Sequence, residues 1–322
     1  MSLLSCADKV YIAGHTGLAG SAILRHLQNK NYTNLIYKKH SELNLLDENE
    51  VKNFFENEKP DVVFLAAAKV GGINANNLYR SDFIYQNLQI QNNVIWHALK
   101  NNVHRLIFLG SSCVYPKFAP QPINENCLLT GTLEYTNQPY AIAKIAGIEL
   151  VNSIRKQYNK DFFSVMPTNL FGPNDNYDEW NSHVIASLIK KFCLAKMNEE
   201  VVVWGDGSPL REFLHSDDLA SAAVFLAEKF SFSDLEESIL GKQNISHINI
   251  GSAAEFSILE LAKMIASIVG HKGNIVFDKS YPNGTPRKIL DTSFLSSLGW
   301  KVDTPFIERL KMTISSFQKS IL

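Results

Sequence analysis

VYIAGHTGLAGSAIL, residues 10–24, decides the fold of this 322-residue chain. A short apolar run, Val10 to Ala13, leads into three glycines, and an amphipathic helical pattern follows from Ser21. Glycines at a strand-to-helix turn allow the backbone to approach a pyrophosphate that lies on the helix N-terminus. The segment therefore predicts a dinucleotide-binding loop that opens a Rossmann fold. The loop residues expected to contact the cofactor are Gly14, Thr16, Gly17, Leu18 and Gly20.

Strands and helices alternate through the first half of the chain. Further apolar runs span 34–37, 62–66, 105–109 and 162–166, with helical patterns between them. Continuous apolar strands separated by amphipathic helices are typical of a parallel sheet covered on both faces. After residue 176 the spacing becomes less regular. We predict an α/β fold with a doubly wound parallel sheet over 1–178, which also receives a segment near 213–252, and a smaller mixed lobe over 179–322, interleaved with the first.

Charge and composition exclude several classes of protein. The 31 Lys and Arg balance 32 Asp and Glu, so the chain has no overall field to hold nucleic acid. Its four cysteines lack CxxC spacing and the density of a disulfide scaffold. No apolar run approaches the length of a membrane span. We expect a soluble cytoplasmic protein without a metal site and without a nucleic-acid or membrane partner.

The sequence YKKH, residues 37–40, ends the second strand. In NAD-selective domains an acidic residue near this position binds the adenosine ribose. Here Lys38, Lys39 and His40 suit a 2′-phosphate instead, so NADP(H) is favoured; a merely solvated strand end is the alternative. Asp47 lies near the adenine or begins the next helix as its N-cap.

QPYAIAK, residues 138–144, places Tyr140 and Lys144 four positions apart on one helix face. An ammonium beside a phenol favours phenolate, so we expect Lys144 to lower the pKa of Tyr140 and prepare it for proton exchange with a carbonyl. Ser111 follows the strand 105–109, at the edge where doubly wound folds bind their ligands, and would hydrogen-bond the same oxygen. Alone, YxxxK is an ordinary exposed pair; behind a glycine loop it indicates a ketone reductase.

With these features the chain resembles the extended short-chain dehydrogenases/reductases and, within them, the GDP-L-fucose synthase family. The motifs that carry the resemblance are GHTGLAG (14–20), LAAAKVGGINANN (65–77), DFIYQN (82–87), FLGSSCVYPK (108–117), QPYAIAKIAG (138–147), SVMPTNLFGP (164–173), NSHVI (181–185), VVVWGDGSPLREFLHSDD (201–218) and GTPRK (284–288). The resemblance implies NADP(H), a GDP-linked 4-keto sugar substrate and a homodimer.

The resemblance also implies roles for individual residues. Ser111, Tyr140 and Lys144 match the reductase triad, while Cys113 and His183 match an acid/base pair for epimerisation. The implied cofactor contacts beyond the glycine loop are Lys38, His40, Leu45, Leu109, Gly110, Ser111, Ser112, Tyr140, Lys144, Pro167, Asn169 and Leu170. The implied substrate contacts are Lys191, Trp204, Arg211 and Asn283.

The chemistry of a 4-keto sugar agrees with these roles. The ketone acidifies the hydrogens on C3 and C5, so a base and an acid on opposite sides can invert those carbons through an enolate. A nearby cation favours the thiolate form of a cysteine, which is the form that can act as a base. The alternatives are that Cys113 is a small buried hydrophobic residue and that His183 is a structural histidine. The fork of Arg211 suits a diphosphate and Trp204 can stack on guanine. The alternatives are a surface ion pair for Arg211, a core aromatic for Trp204 and a solvated helix face for Lys191.

Departures from the family pattern leave other functions open. Thr16 and His40 stand where the family carries arginines, and Asn283 stands for an aspartate. The aromatics of 177–180 precede His183, where they could enlarge the pocket for a 4-keto-heptose of surface polysaccharides, with C4 reduction alone. A 4,6-dehydratase would need a carboxylic acid after Ser111, which is missing. A non-catalytic redox sensor that binds NADP is a further alternative, but such a protein could dispense with Tyr140 and Lys144.

Overall fold

The computed structural model describes residues 3–178, 180, 182–281 and 283–321. Its strands are β1 Val10–Ala13, β2 Leu35–Ile36, β3 Val62–Leu65, β4 Arg105–Leu109, β5 Asp161–Pro167, β6 Asn169–Phe171, β7 Val201–Trp204, β8 Leu210–His215, β9 His247–Ile250, β10 Glu255–Ser257, β11 Ile275–Asp278 and β12 Arg287–Lys288. Its α-helices are α1 Leu18–Asn29, α2 Glu48–Glu58, α3 Ile73–Leu78, α4 Arg80–Lys100, α5 Gln138–Tyr158, α6 Val184–Leu194, α7 Ser216–Lys229, α8 Phe232–Glu237, α9 Ile239–Lys242, α10 Ile258–Val269, α11 Ser293–Ser297 and α12 Phe306–Ser320.

A six-stranded parallel sheet in the order β2-β1-β3-β4-β5-β9 forms the centre of the molecule. Its inner strands are buried along their whole length because one hydrophobic cluster covers each face. Burial on both faces explains why these segments read as continuous apolar runs rather than alternating ones. The predicted doubly wound Rossmann fold is confirmed. The second strand is shorter than predicted, with only two residues in the sheet.

The glycine loop lies where the strand order reverses, since β1 pairs with β2 on one side and with β3 on the other. Gly14 has φ +89°, and a Cβ there would lie 2.7 Å from the amide nitrogen of Ala67, in the loop after β3. Helix α1 begins at Leu18, three residues before the predicted start at Ser21. Gly20 therefore lies in its first turn, against the carbonyl of Gly14, where a side chain would not fit. The glycines let two loops and a helix meet at the ligand-binding edge.

The second half of the chain passes between the large sheet and a smaller lobe. Strand β9 pairs with β5, and α7 packs against α1, so residues 216–250 contribute to the first core. Strand β8 forms a second sheet with β6, β10 and β12, and β7 pairs with β11. A third hydrophobic cluster lies beneath these strands and α6, α10 and α12. The division of the chain at residue 178 stays a prediction.

The carboxyl ends of β1, β3, β4 and β5 meet at one edge of the large sheet, beside β8 and β12 of the second one. The segments that follow them carry most of the predicted site residues. Among the described residues, no helix is both long and apolar enough to cross a membrane.

Candidate active site

The chain turns sharply after β4 to present Ser111 and Cys113. Ser111 precedes a short 3-10 helix, Ser112–Val114, and its Oγ accepts a hydrogen bond of 3.2 Å from the amide of Cys113. A Cβ at Gly110 would overlap the Met166 side chain, so glycine at this position lets the chain pack closely against the neighbouring strand. Both side chains are half-buried, so each can face a ligand at the sheet edge.

Lys144 lies inside the protein, 3% exposed, on the first half of α5. Its Nζ donates a hydrogen bond of 2.8 Å to the carbonyl of Leu109 and lies 4.6 Å from the ring centre of Phe108. The ammonium is 5.9 Å from the ring centre of Tyr140, one turn earlier on the same face. Burial lowers the pKa of Lys144 to about 7. The lysine thus joins α5 to the end of β4 and changes charge near neutral pH.

The expectation that Lys144 lowers the pKa of Tyr140 is wrong in this structure. Burial raises the pKa of Tyr140 well above its usual value, and the neighbouring Cys113 raises it further, while a hydrogen bond with Ser111 opposes the rise. Desolvation disfavours phenolate more strongly than the surrounding groups favour it. The phenol therefore stays protonated, and this is the form that can donate a proton to a carbonyl oxygen.

The buried lysine has a measurable effect on stability. Its proton leaves near pH 7 in the folded protein and near pH 10.5 in the unfolded chain, so between these values the unfolded chain binds more protons. The contribution of Lys144 to stability therefore rises with pH through this window. Replacing it by methionine is expected to raise the free energy of unfolding at pH 7 by about 1–3 kcal/mol, the relieved desolvation less one lost hydrogen bond.

Urea unfolding of the Lys144→Met variant at pH 7 and pH 9.5 measures this effect. The gain over the parent should shrink at the higher pH, and Lys52→Met, at an exposed site on α2, should show no gain at either. A Lys144→Met variant that is less stable than the parent by the same amount at both values would contradict the desolvation account.

Lys288 is a site residue that sequence reasoning missed. Its Nζ donates to the Sγ of Cys113 at 3.4 Å, although 175 positions separate the two residues. Strand β12 places it there, since Lys288 pairs in register with Arg211 on β8. The motif GTPRK was noted as part of the family resemblance, but nothing local to it indicated a thiol partner.

His183 is the N-cap of α6 and lies in the cleft near Lys288. Its side chain is exposed to solvent in the open cleft. Desolvation lowers the pKa of His183 below its usual value, and the charge of Lys288 lowers it further. The structure therefore brings Cys113, Lys288 and His183 to one cleft with Tyr140. Cys113 and His183 were predicted from motifs far apart in the sequence, whereas Lys288 was not predicted.

Arg211 and Asn283 form one wall of the same cleft. The guanidinium of Arg211 is half-buried and donates to the carbonyls of Leu210 at 2.9 Å and Asn283 at 3.4 Å. Burial lowers the pKa of Arg211, although nearby Cys113 partly opposes this. The side chain of Asn283 accepts a 2.9 Å hydrogen bond from the amide of Asp206. Asn283 thus fixes two loops beside a cation suited to a diphosphate.

An aromatic cluster lies at the end of β7. The rings of Trp204 and Tyr281 stack 4.2 Å apart with an angle of 4°. The ring of Trp180 lies 6.3 Å from that of Trp204, and the ammonium of Lys191 lies 5.2 Å from the same indole while donating to the carbonyl of Val202. The predicted Lys191 and Trp204 are neighbours, and Tyr281 is an addition. A flat apolar surface beside cations suits a nucleobase.

The expectation that Tyr177 shapes the sugar pocket is wrong. Its ring lies 4.3 Å from that of Phe317 on α12, within the third hydrophobic cluster. Burying an aromatic ring against the core is worth more than leaving it in an open cleft. Of the aromatics before His183, Trp180 lies instead beside Trp204. Residues 179 and 181 lie outside the described part of the chain.

The glycine loop fits a dinucleotide. Gly17 is the N-cap of α1 without a side-chain cap, and the first turn carries no acidic residue, so its amides can receive an anion. A Cβ at Gly17 would meet nothing closer than 3.6 Å, which leaves room for a ligand there. Thr16 is exposed beside it, and Leu18 begins the helix.

The basic segment after β2 is only partly free to bind phosphate. The ammonium of Lys38 lies 3.8 Å from the carboxylate of Glu58, whereas the side chains of Lys39 and His40 are exposed. Of the two positions left open for Asp47, the structure shows the N-cap of α2, where it accepts from the amides of Asn49 and Glu50.

The remaining predicted cofactor positions lie around the same edge. Leu45 packs against the second hydrophobic cluster, and its carbonyl accepts from Asn93 at 2.9 Å. Pro167 ends β5, and the Asn169 side chain donates to the carbonyl of Glu212 at 2.7 Å, joining β6 to β8. Leu170 packs against the first cluster. These residues shape the edge between the two sheets. A cluster of residues able to hold a metal ion is not found within the described ranges.

Comparison with known proteins agrees with this fold. The model of the NAD dependent epimerase/dehydratase family matches residues 10–251, and the chain belongs to this family. Within it, the chain groups with the GDP-L-fucose synthases. It is 53% identical to GDP-L-fucose synthase of Escherichia coli strain K12 over 295 residues, covering 91% of each chain. It is 52% identical to GDP-L-fucose synthase 1 of Arabidopsis thaliana over 322 residues, covering 99% of this chain and 96% of the relative.

A solved structure is similar over almost the whole chain. MlghC, the GDP-mannoheptose C4 reductase from Campylobacter jejuni with NADP bound, is 38% identical and superposes with a TM-score of 0.89, covering 98% of this chain and 99% of the other. The fold is thus shared by enzymes described as acting on hexose and on heptose derivatives of GDP.

Proposed function

We propose that this chain is an NADPH-dependent reductase of a GDP-linked 4-keto sugar that also inverts C3 and C5, with GDP-4-keto-6-deoxymannose as its substrate. One observation carries the proposal. A protonated tyrosine, its serine partner, a thiol beside an ammonium and a histidine face one cleft at the edge of a dinucleotide-binding sheet. The relatives named GDP-L-fucose synthase support the sugar and the nucleotide.

The protein's own groups divide the work of epimerisation. Hydrogen bonds from Ser111 and Tyr140 polarise the C4 carbonyl, which acidifies the adjacent carbons and stabilises the enolate. The thiolate of Cys113 takes a proton from one face of the sugar. His183 returns a proton to the opposite face, so the configuration inverts. Inversion at both carbons requires that the enolate form twice at the same oxyanion site.

Reduction uses the same site with a different proton donor. When bound, NADPH supplies hydride to C4. Tyr140 donates its phenolic proton to the developing alkoxide, and its raised pKa keeps that proton in place until then. Lys144 fixes the helix that carries the tyrosine to the end of β4, through its hydrogen bond to Leu109.

NADP(H) is the cofactor that the residues favour. The glycine loop and the uncapped start of α1 hold the pyrophosphate, and the end of β2 presents Lys39 and His40 where an acidic residue would select NAD. At the other end of the cleft, Arg211 binds the diphosphate of GDP and Trp204 the guanine, with Lys191 and Asn283 as supporting contacts.

The experiment that tests this function compares two substrates. NADPH oxidation should depend on GDP-4-keto-6-deoxymannose, with kcat/KM at least tenfold higher than for a GDP-4-keto-heptose of surface-polysaccharide synthesis. The Tyr177 ring supports the smaller sugar, because it packs into the core rather than lining a widened pocket. A preference for the heptose, with reduction at C4 alone, would instead place the chain with enzymes such as MlghC.

We propose that the protein is a homodimer that associates through α4 and α5. These helices pack side by side, and their outer faces expose Tyr85, Trp96 and Ile142, which are 65%, 40% and 41% exposed. Tyr85 and Trp96 are eleven positions apart and share one face of α4. Sedimentation equilibrium should give twice the chain mass, and Trp96→Lys should weaken the association; a monomeric parent would contradict the proposal.

The cytoplasm is the compartment that suits this activity. Cys6, Cys113, Cys127 and Cys193 are all free thiols in the structure. A thiol that acts as an acid/base must remain reduced, as it does in a reducing compartment.

A further inference from the structure

We propose that Lys288 is a positioning residue for epimerisation, one that holds Cys113 as a thiolate and aims its sulfur into the cleft. This inference rests on the proposed function for its role in the reaction. The contact that carries it is the 3.4 Å approach of the ammonium to the sulfur, across two lobes of the protein.

The surroundings of Lys288 leave the thiol as its partner. Within the described part of the chain, no carboxylate lies within ion-pairing distance of its ammonium. The adjacent Arg287 faces the other way and makes a 2.8 Å ion pair with Glu255 on β10. Successive side chains on a strand point to opposite faces, so the pairing of Arg287 fixes Lys288 towards the cleft.

The groups that face Lys288 include Cys113 after β4, His183 at the start of α6, and Arg211 beside it on β8. Lys117, Glu134 and Arg287 line the same cavity as Lys288 and Cys113. Tyr140 is a further neighbour of the thiol. Two cations therefore flank Cys113. The carboxylate of Glu134, which lines the same cavity, is engaged in hydrogen bonds from the Thr136 hydroxyl and the Asn137 amide. A half-buried ammonium next to a thiol favours the thiolate, because the opposite charges attract more strongly where water is partly excluded.

The positive charge of Lys288 lies beside the sulfur from which negative charge departs during proton transfer. The thiolate forms an S–H bond as a C–H bond beside the ketone breaks, and the electron pair moves to the enolate oxygen held by Ser111 and Tyr140. The negative charge moves from sulfur to oxygen, and Lys288 keeps its own proton throughout. The same ammonium disfavours the imidazolium of His183. Lys288 thus assigns the base role to the cysteine and leaves the histidine as the stronger acid once it is protonated.

The test is the pH dependence of Cys113 alkylation by iodoacetamide, followed by mass spectrometry of its peptide in the substrate-free protein. Exposed Cys6 provides an internal control. In the parent, Cys113 should reach half of its maximal rate at a pH about 1–2 units lower than Cys6. Lys288→Met should remove this difference, Lys288→Arg should keep most of it, and neither should change Cys6.

Each result decides the proposal. Equal midpoints for Cys113 and Cys6 in the parent overturn it without any variant. An unchanged Cys113 midpoint in Lys288→Met, accompanied by a raised KM for the GDP-sugar, would make Lys288 a phosphate ligand instead. Because alkylation needs no substrate, a shifted midpoint in a protein that turns over no GDP-4-keto sugar would reject the proposed function and leave the Lys288–Cys113 pairing intact.

In turnover, Lys288→Met should slow solvent deuterium exchange at C3 and C5 by about tenfold or more at pH 7, because less thiolate is present. The loss should diminish at higher pH, and Lys288→Arg should restore exchange. A loss that is independent of pH would indicate a merely structural effect.

Discussion

Tyr140→Phe is expected to lower kcat for NADPH oxidation by about 10²–10⁴-fold. The phenol is the proton donor to C4, and no other described group in the cleft combines a raised pKa with a position next to Ser111. Removing one hydroxyl leaves the ring and its edge contact with Phe83 in place. Stopped-flow absorbance at 340 nm measures the loss.

The control for this substitution lies on the same helix. Tyr158→Phe, at the exposed end of α5, should leave kcat unchanged. NADPH affinity, measured by fluorescence, should change little in Tyr140→Phe. If that variant kept more than a tenth of the parent's kcat, Tyr140 would not be the proton donor and the reductase assignment would lose its main support.

Cys113→Ser is expected to slow deuterium exchange at C3 and C5, and both Cys113→Ser and His183→Asn to slow inversion there, by about 10²–10⁴-fold while leaving hydride transfer at C4 possible. A serine hydroxyl is a far weaker acid than a thiol, and asparagine cannot exchange a proton near neutral pH. The product should shift from the doubly inverted sugar to one reduced at C4 without inversion. NMR of the product made in D2O distinguishes the two.

The lowered pKa of His183 predicts how inversion depends on pH. Its lowered pKa means that the imidazolium is abundant only at a pH below the usual value for histidine. Inversion, which needs the imidazolium as its acid, should therefore weaken as the pH rises above that range. Cys6→Ser, at an exposed site, should reproduce the parent's profile. Full exchange in Cys113→Ser, or full inversion in His183→Asn, would remove that residue from the acid/base pair.

Local patterns allowed the fold and the reductase residues to be predicted from the sequence. The glycine loop is a strand-to-helix turn within a few residues, and Tyr140 and Lys144 need only helical spacing to share a face. The parallel sheet could be predicted from continuous apolar runs because burial on both faces leaves no polar position in β3 and only Arg105, which is itself buried, in β4.

Contacts between distant segments could not be predicted in this way. Lys288 reaches Cys113 only because β12 joins β8 beside the end of β4, and nothing near residue 288 encodes that pairing. Tyr281 stacks on Trp204 through a similar meeting of loops. The error for Tyr140 arose because spacing shows which residues are neighbours but not how much water they lose. Tyr177 was misplaced because an aromatic before a site residue suits a core as well as a pocket.

The central claim is that one cleft performs both inversion and reduction on a GDP-4-keto sugar. The most direct measurement is NMR of the product formed from GDP-4-keto-6-deoxymannose and NADPH in D2O. The account predicts deuterium at C3 and C5, inverted configuration at both, and hydrogen from NADPH at C4. A product with hydrogen retained at C3 and C5 and no inversion, or no NADPH-dependent product at all, would contradict it.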